Sequence, residues 1–275
     1  MPLFSDLNDQ MAKYRFRPDQ RFGQNFAINE PLLERMVELA DLNAKDTVLE
    51  IGCGTGFLTE KLVKKCKVIG YELDRNLAGL LRGRFKDEKN FRLIEEDIVF
   101  AKLPKFTKVV SLPPYNISTQ VMLKLISSKA MFERAVLVFQ TEFCEKLTAE
   151  PGFPDYNYLS VLARLSFDPK IALKNISPAS FFPKPESYSS VIVLQRRDAP
   201  KVAQSGDFIF FIKNLFRYKN KNLSNALSNC LSQVRRLGIK DEKMRKALEN
   251  SGIGDEKVSL LEPEIFAELF SRISR

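Results

Sequence analysis

Between Thr47 and Phe139 short β-rich runs alternate with helical stretches, and this alternation limits the possible folds more than any other feature of the chain. The runs TVLEI, KVIGYE, NFRLIEED, TKVVS and RAVLVF read as strands, and segments such as LTEKLVKK, LAGLLRGRF and TQVMLKLISS carry apolar residues at helical spacing. Strands joined through helices run parallel and are covered on both faces, so the pattern predicts an α/β fold around a mainly parallel sheet. Two later runs, KIALKNI and SSVIVLQRR, predict further strands where an antiparallel edge strand often closes such a sheet. From Asn29, NEPLLERMVELADL predicts an amphipathic helix with Pro31 near its start.

The ends of the chain read differently. The first twenty residues are polar and turn basic at Lys13, Arg15, Arg17 and Arg21, with no sustained apolar period, which predicts a loosely held arm whose charge could meet phosphate. RRDAPKVAQSG (196–206) reads as a linker. After it KNLSNALSNCLSQV and LEPEIFAELFSRI repeat the helical period. The expected organisation is an arm over 1–20, an α/β domain over 21–197 and a small helical domain over 198–275.

Several chemistries are excluded by what the chain lacks. It has no histidine, which removes Ser-His-Asp hydrolysis, H-E-x-x-H zinc sites and an imidazole base. Its four cysteines are far apart with no C-x-x-C pair, so neither a zinc ribbon nor a disulfide framework is expected, and no metal is called for. No run is long and apolar enough for a membrane span, and the start lacks a signal-peptide profile, which points to the cytoplasm. Lys and Arg outnumber Asp and Glu by 43 to 34, a net charge of +9 that favours a polyanionic partner.

The first strand runs into Glu50, Ile51, Gly52, Cys53, Gly54, Thr55 and Gly56 and then a helix. A glycine-rich strand-to-helix turn lets a ligand approach the backbone, and the helix start attracts negative charge. The spacing G-x-G-x-G after an acidic residue favours S-adenosylmethionine over a nicotinamide dinucleotide, although another nucleotide or a purely structural turn would also fit it. Glu72 ends the second strand where a carboxylate can take ribose hydroxyls, or else is a solvated strand end. Asp97 follows the third strand where it can accept from an adenine amino group, with Ile98 packing on the ring, or else belongs to a charged loop. The fourth strand leads into Leu112, Pro113, Pro114 and Tyr115, an aromatic behind a proline-stiffened turn that can stack on a flipped-out base. Phe181 and Phe182, held by Pro183 and Pro185, suggest a second aromatic wall, with core packing a rival for one of the two rings.

Together, RFGQNF (21–26), EIGCGTG, YELD, EED, PPYNIST and PASFFPKPESYSS (178–190) resemble the ribosomal RNA small-subunit adenine dimethyltransferases, the KsgA-type enzymes, across most of residues 20–195. The resemblance implies a Rossmann-like class I methyltransferase domain with a mostly parallel seven-stranded sheet, plus a small all-helical C-terminal domain. It implies transfer of methyl groups from S-adenosylmethionine to N6 of two adjacent adenosines near the 3′ end of small-subunit rRNA, by a monomer acting on the RNA or the pre-ribosomal small subunit. Gln24 and Asn25 would lie near the methionine end of the cofactor, with Phe26 also in its binding site, Glu50, Gly52, Gly54 and Gly56 at its turn, Glu72 on its ribose, and Asp97 and Ile98 on its adenine. Leu112, Pro113, Pro114, Tyr115 and Phe181 would form the catalytic loop and hold the target base.

One departure stands out. The family pattern at the fourth strand is Asn-Leu/Ile-Pro-Tyr/Phe, and a gap-free alignment on Val109, Val110 and Tyr115 puts Leu112 at the asparagine. Leucine cannot accept the adenine N–H bonds, and losing one positioned polar group costs ~2.7 to 4 kcal/mol. The carbonyls of Leu112 and Pro113, or the Ser111 hydroxyl, would have to substitute. An assembly factor that binds small-subunit RNA with weak or lost transfer is therefore the alternative. A large-subunit RNA methyltransferase shares the motifs, and an NAD-dependent oxidoreductase is disfavoured by the glycine spacing and the missing histidine.

Overall fold

Alternating Val, Leu and Ile side chains give the central strands two buried faces, and these strands form one sheet. The computed structural model describes residues 2–128, 132–198, 200–239, 241–249 and 252–274. In chain order the strands are β1 (Phe26–Ala27), β2 (Thr47–Ile51), β3 (Lys67–Tyr71), β4 (Phe91–Ile94), β5 (Lys108–Ser111), β6 (Arg134–Gln140), β7 (Phe167–Ile176), β8 (Phe181–Phe182) and β9 (Ser189–Arg196). The helices are α1 (Pro2–Tyr14), α2 (Glu30–Leu39), α3 (Phe57–Val63), α4 (Arg75–Arg84), α5 (Ser118–Ile126), α6 (Thr141–Thr148), α7 (Tyr158–Ser166), α8 (Gly206–Leu215), α9 (Leu223–Val234), α10 (Asp241–Glu249) and α11 (Pro263–Ile273). No helix among the described residues is long and apolar enough to cross a membrane.

The seven-stranded sheet has the order β4-β3-β2-β5-β6-β9-β7. The pairs from β4 through β6 are parallel, and β9 lies antiparallel to β6 with Gln140 opposite Ser189. The chain winds outward from β2 to β4, then restarts at β5 on the other side of β2. That reversal opens a crevice at the carboxyl ends of β2 and β5, where α/β sheets bind ligands. The remaining strands, β1 and β8, pair antiparallel in a separate two-stranded sheet, with Phe26 opposite Phe182 and Ala27 opposite Phe181.

Helix starts follow local chemistry. Asn29 caps α2 by accepting from Leu32 N–H, and Asp74 caps α4 by accepting from Asn76 and Leu77 N–H. The first twenty residues are not a loose arm. Most of them form α1, which buries Leu3 and Leu7 and sets Met11 and Tyr14 against the same core. Burying two leucines contributes about 1.5–3 kcal/mol each, enough to hold a polar helix in place.

The chain divides into two units, Met1–Cys144 with Lys170–Arg196, and Glu145–Pro169 with Arg197–Arg275. The second unit is helical, but it is not confined to the C-terminal segment as expected: residues 145–169, read from sequence as part of the α/β domain, belong to it. Asn157 and Ser160 form a capping box at the start of α7. Tyr156 is fully buried in this unit, its hydroxyl donating to the Leu261 carbonyl (2.8 Å) and its ring against Phe216. Within 196–206, read as a linker, Lys201–Gln204 forms a 3-10 turn with Ala203 fully buried.

Candidate functional site

After β2 the backbone turns through Gly52, Gly54 and Gly56, with φ of 73°, 55° and 79°, values that strain any residue with a Cβ. A Cβ on Gly52 would stand 3.2 Å from Pro114 Cδ, and one on Gly54 3.2 Å from the Phe26 ring. The turn is locked to β3 from below. Gly52 and Cys53 N–H both donate to the Tyr71 carbonyl, Gly54 N–H donates to Glu72 Oε2 (2.8 Å), and Asp74 N–H donates to Glu72 Oε1 (2.9 Å). Gly56 differs from the other two. A Cβ there would meet Phe85 at 2.7 Å and Leu81 at 3.0 Å, so it serves packing against α4 and does not line the cavity that its partners border.

Above this turn lies a cavity of about 350 Å³ at the sheet's switch point, a size suited to a small-molecule ligand. Its walls gather most of the sequence-predicted residues. Gln24, Asn25 and Phe26 come from the segment before α2, Glu50, Gly52 and Gly54 from the β2 turn, and Glu72, Asp97 and Ile98 from the ends of β3 and β4. Leu112, Pro113, Pro114 and Tyr115 come from the loop after β5, and Phe181 from β8. The β1–β8 pairing explains how residues 24–26 and Phe181, far apart in sequence, reach one cavity; two-residue strands leave no periodicity to read. Leu73 was not anticipated. It lines the cavity beside Glu72 and is 48 % exposed, an apolar side chain left open at a strand end, which is the signal that could have found it.

Apart from Arg21, the charged residues of the wall are acidic, and most of them are held by the protein itself. Glu50 is buried and accepts from the Thr59 hydroxyl (2.7 Å); burial pushes its carboxyl from 4.5 up to about 8, with the nearby Glu72 charge adding to the rise. Burial likewise raises the Glu72 carboxyl, opposed by the N–H bonds it accepts. Asp97, only half-buried, accepts from Val99 N–H (2.8 Å). Gln24 spans two groups, donating to Asp74 Oδ2 (2.9 Å) and accepting from Asp19 N–H (2.8 Å), so it ties its segment to the start of α4. Asn25 donates to the Gly23 carbonyl (3.2 Å).

On the opposite wall, the Ser111 hydroxyl, a candidate acceptor from sequence, is not directed to the cavity. It donates to the Ile51 carbonyl and accepts from Ile51 N–H (3.0 Å), fully buried between β5 and β2. Leu112, Pro113 and Pro114 therefore offer only backbone polar groups, and the polar side chains that the following turn brings to the cavity are Tyr115 and Asn116. Tyr115 lines the cavity while its hydroxyl is 2.6 Å from Ser189 Oγ; burial pushes that phenol up to about 12, so it stays protonated. Phe181 is 1 % exposed and borders the cavity, whereas Phe182 turns its ring edge-on to Phe4 of α1 (5.4 Å). No group of three or more acidic, cysteine or histidine side chains among the described residues could hold a metal.

A family profile described as "Ribosomal RNA adenine dimethylase" matches residues 15–260. The chain is 36 % identical over 262 residues to the "Probable ribosomal RNA small subunit methyltransferase A" of Pyrococcus abyssi, covering 94 % of this chain and 93 % of that protein. It is 35 % identical to the "Ribosomal RNA small subunit methyltransferase A" of Clostridium botulinum, covering 89 % and 90 %. Among solved structures, a dimethyladenosine transferase from Plasmodium falciparum superposes with a TM-score of 0.75 at 25 % identity, over 90 % of this chain and 96 % of that one. The 23S rRNA methyltransferase ErmE gives a TM-score of 0.62 at 25 % identity, over 91 % and 100 %.

Proposed function

Because this chain belongs to the ribosomal RNA adenine dimethylase family, we propose that it transfers methyl groups from S-adenosylmethionine to N6 of two adjacent adenosines near the 3′ end of small-subunit rRNA. The observation that carries this reading is the single cavity in which the glycine turn, Glu72, Asp97 and the Leu112–Tyr115 loop meet. The relatives named for the small subunit favour that RNA over the large-subunit substrate. The protein is read as a monomer of the cytoplasm that meets its RNA free or in the pre-ribosomal small subunit.

The residues present fit the cofactor. Glu72 lies at the strand end that would meet ribose hydroxyls, Asp97 would accept from the adenine amino group, and Ile98 and Leu73 offer apolar surface to the ring. Gly52 and Gly54 keep the backbone open to close approach, and Gln24 and Asn25 would stand toward the methionine end. When bound, S-adenosylmethionine supplies a methyl group on a sulfonium. Tyr115 and Phe181 would hold the target adenine by its faces, Tyr115 by stacking and Phe181 as a wall. The carbonyls of Leu112 and Pro113 would accept the N6 hydrogens and turn the amino lone pair out of the ring, with the Pro-Pro turn keeping them in place. No residue is required to act as a strong base. Mass spectrometry of small-subunit RNA incubated with protein and cofactor tests this reading: N6-methylated adenines support it, and unmodified RNA rejects it.

Leu112 favours a second reading, an assembly factor that binds the same RNA with weak or lost transfer. Leu112→Asn decides between them. With the Ser111 hydroxyl committed to Ile51, an asparagine there adds a side-chain acceptor at a position that has none. Turnover is expected to rise ~10-fold, about 1.4 kcal/mol of transition-state stabilisation, at nearly constant cofactor affinity. If parent and variant both bind the RNA and neither transfers methyl, the assembly-factor reading stands.

A further inference from the structure

Tyr115 enters the cavity from a short 3-10 turn (Tyr115–Ile117) that follows Pro114. That turn packs Pro114 against Gly52 and Gly23, which fixes the backbone but not where the ring stands. A second restraint acts at the far end of the side chain, where the hydroxyl meets Ser189 Oγ at 2.6 Å, from a residue 74 positions later in the chain. Ser189 is fully buried and opens β9, opposite Gln140 of β6. Its neighbours are fastened one by one. Gln140 Nε2 donates to Ser187 Oγ (2.9 Å), Thr141 N–H donates to the Tyr188 carbonyl (2.9 Å), and Thr141 Oγ1 pairs with Ser190 Oγ (2.9 Å). The partner of the Tyr115 hydroxyl is thus part of the sheet, not of a loop.

We propose that Ser189 is a positioning residue, which holds the Tyr115 ring in its place in the cavity wall through the hydroxyl–hydroxyl bond to β9. The inference rests on the reading of Tyr115 as the platform for the target adenine. A bond at the para position fixes the direction of the ring axis, hence where the stacking face lies, while rotation of the ring about that axis is left to packing. The ring is thus tethered at its hydroxyl end as well as packed along its length. Without Ser189 Oγ, the half-buried phenol has lost its partner and gains by turning toward water, and the water lies in the cavity.

Ser189→Ala is expected to lower kcat for methyl transfer about tenfold, the effect of losing one buried hydrogen bond, with cofactor affinity by calorimetry unchanged. Ser189→Thr, which keeps a hydroxyl, should recover most of it. Tyr115→Phe breaks the same bond from the other side and should reproduce the loss even if Ser189→Ala folds poorly. In the Tyr115→Phe background, adding Ser189→Ala should change turnover less than about twofold, because there is no bond left to break. Equal losses in both backgrounds, or full turnover in Ser189→Ala, overturn the proposal. An RNA carrying 2-aminopurine at the target position reads base placement without chemistry: its emission should be quenched by the parent and by Ser189→Thr and recover with Ser189→Ala. A parent that quenches but never transfers methyl rejects the methyltransferase reading and leaves the tether standing. Identical emission in parent and Ser189→Ala rejects the tether.

Discussion

Replacing Glu50 with glutamine is expected to remove most of the fall in stability expected of the parent protein between pH 5 and pH 8. Glu50 ionises near 4.5 in the unfolded chain and near 8 in the folded one, because burial beneath the glycine turn strips its charge of water. Between those values the unfolded chain has given up a proton that the folded chain keeps. Stability from this group is therefore complete below about pH 4.5 and is lost as pH rises through 8. The loss amounts to about 3 kcal/mol over the window. Glutamine keeps the shape and the acceptor for Thr59 but has no proton to lose, so the variant's curve should be nearly flat, with a remainder from Glu72, whose carboxyl burial also raises. Calorimetric unfolding at four pH values tests this; a parent whose stability does not change from pH 5 to pH 8 would mean that Glu50 is solvated.

Glu72→Ala should weaken S-adenosylmethionine binding by about 1–3 kcal/mol, the usual range for a charged hydrogen bond, or roughly fivefold to over a hundredfold in Kd. The structure adds a second effect. Both carboxylate oxygens of Glu72 already brace the turn, one at Gly54 N–H and one at Asp74 N–H, so the alanine variant should also unfold at lower temperature without ligand. Glu72→Gln, which retains one acceptor oxygen, should fall between the two in both measurements. Unchanged affinity by calorimetry would remove Glu72 from the site.

Much of this architecture could be read from the chain because its rules are local or periodic. The sheet strands declare themselves by β-branched runs, and the glycine turn by residues that only positive φ requires. The first helix was missed because its surface is polar, yet Leu3, Leu7, Met11 and Tyr14 recur at three- and four-residue steps, a stripe too thin to stand out beside the basic charge. In the site, the residues at strand ends were legible, since position on a sheet edge follows from the strand pattern. The hydroxyl partnerships were not. Whether Ser111 faces the cavity or Ile51, and whether Ser189 meets Tyr115, depends on side-chain direction across strands distant in sequence, which no spacing encodes. The placement of residues 145–169 failed for a related reason: an amphipathic helix shows that it has an apolar face but not which segment covers it.

That placement bears on how the protein is made. Synthesis proceeds from the amino end, so α7 emerges with Leu159, Val161 and Leu162 ready to be buried before α8, α9 and α11 exist. The α/β unit also needs β9, the strand between β6 and β7, which is translated after α7. The α/β unit is complete once Arg196 has been made, whereas the helical unit still awaits Arg197–Arg275, and a nascent chain halted near residue 200 would expose the apolar face of α7 to chaperones or to aggregation. A truncation at that point would not yield a free-standing catalytic half; it would yield a sheet carrying an orphaned helix.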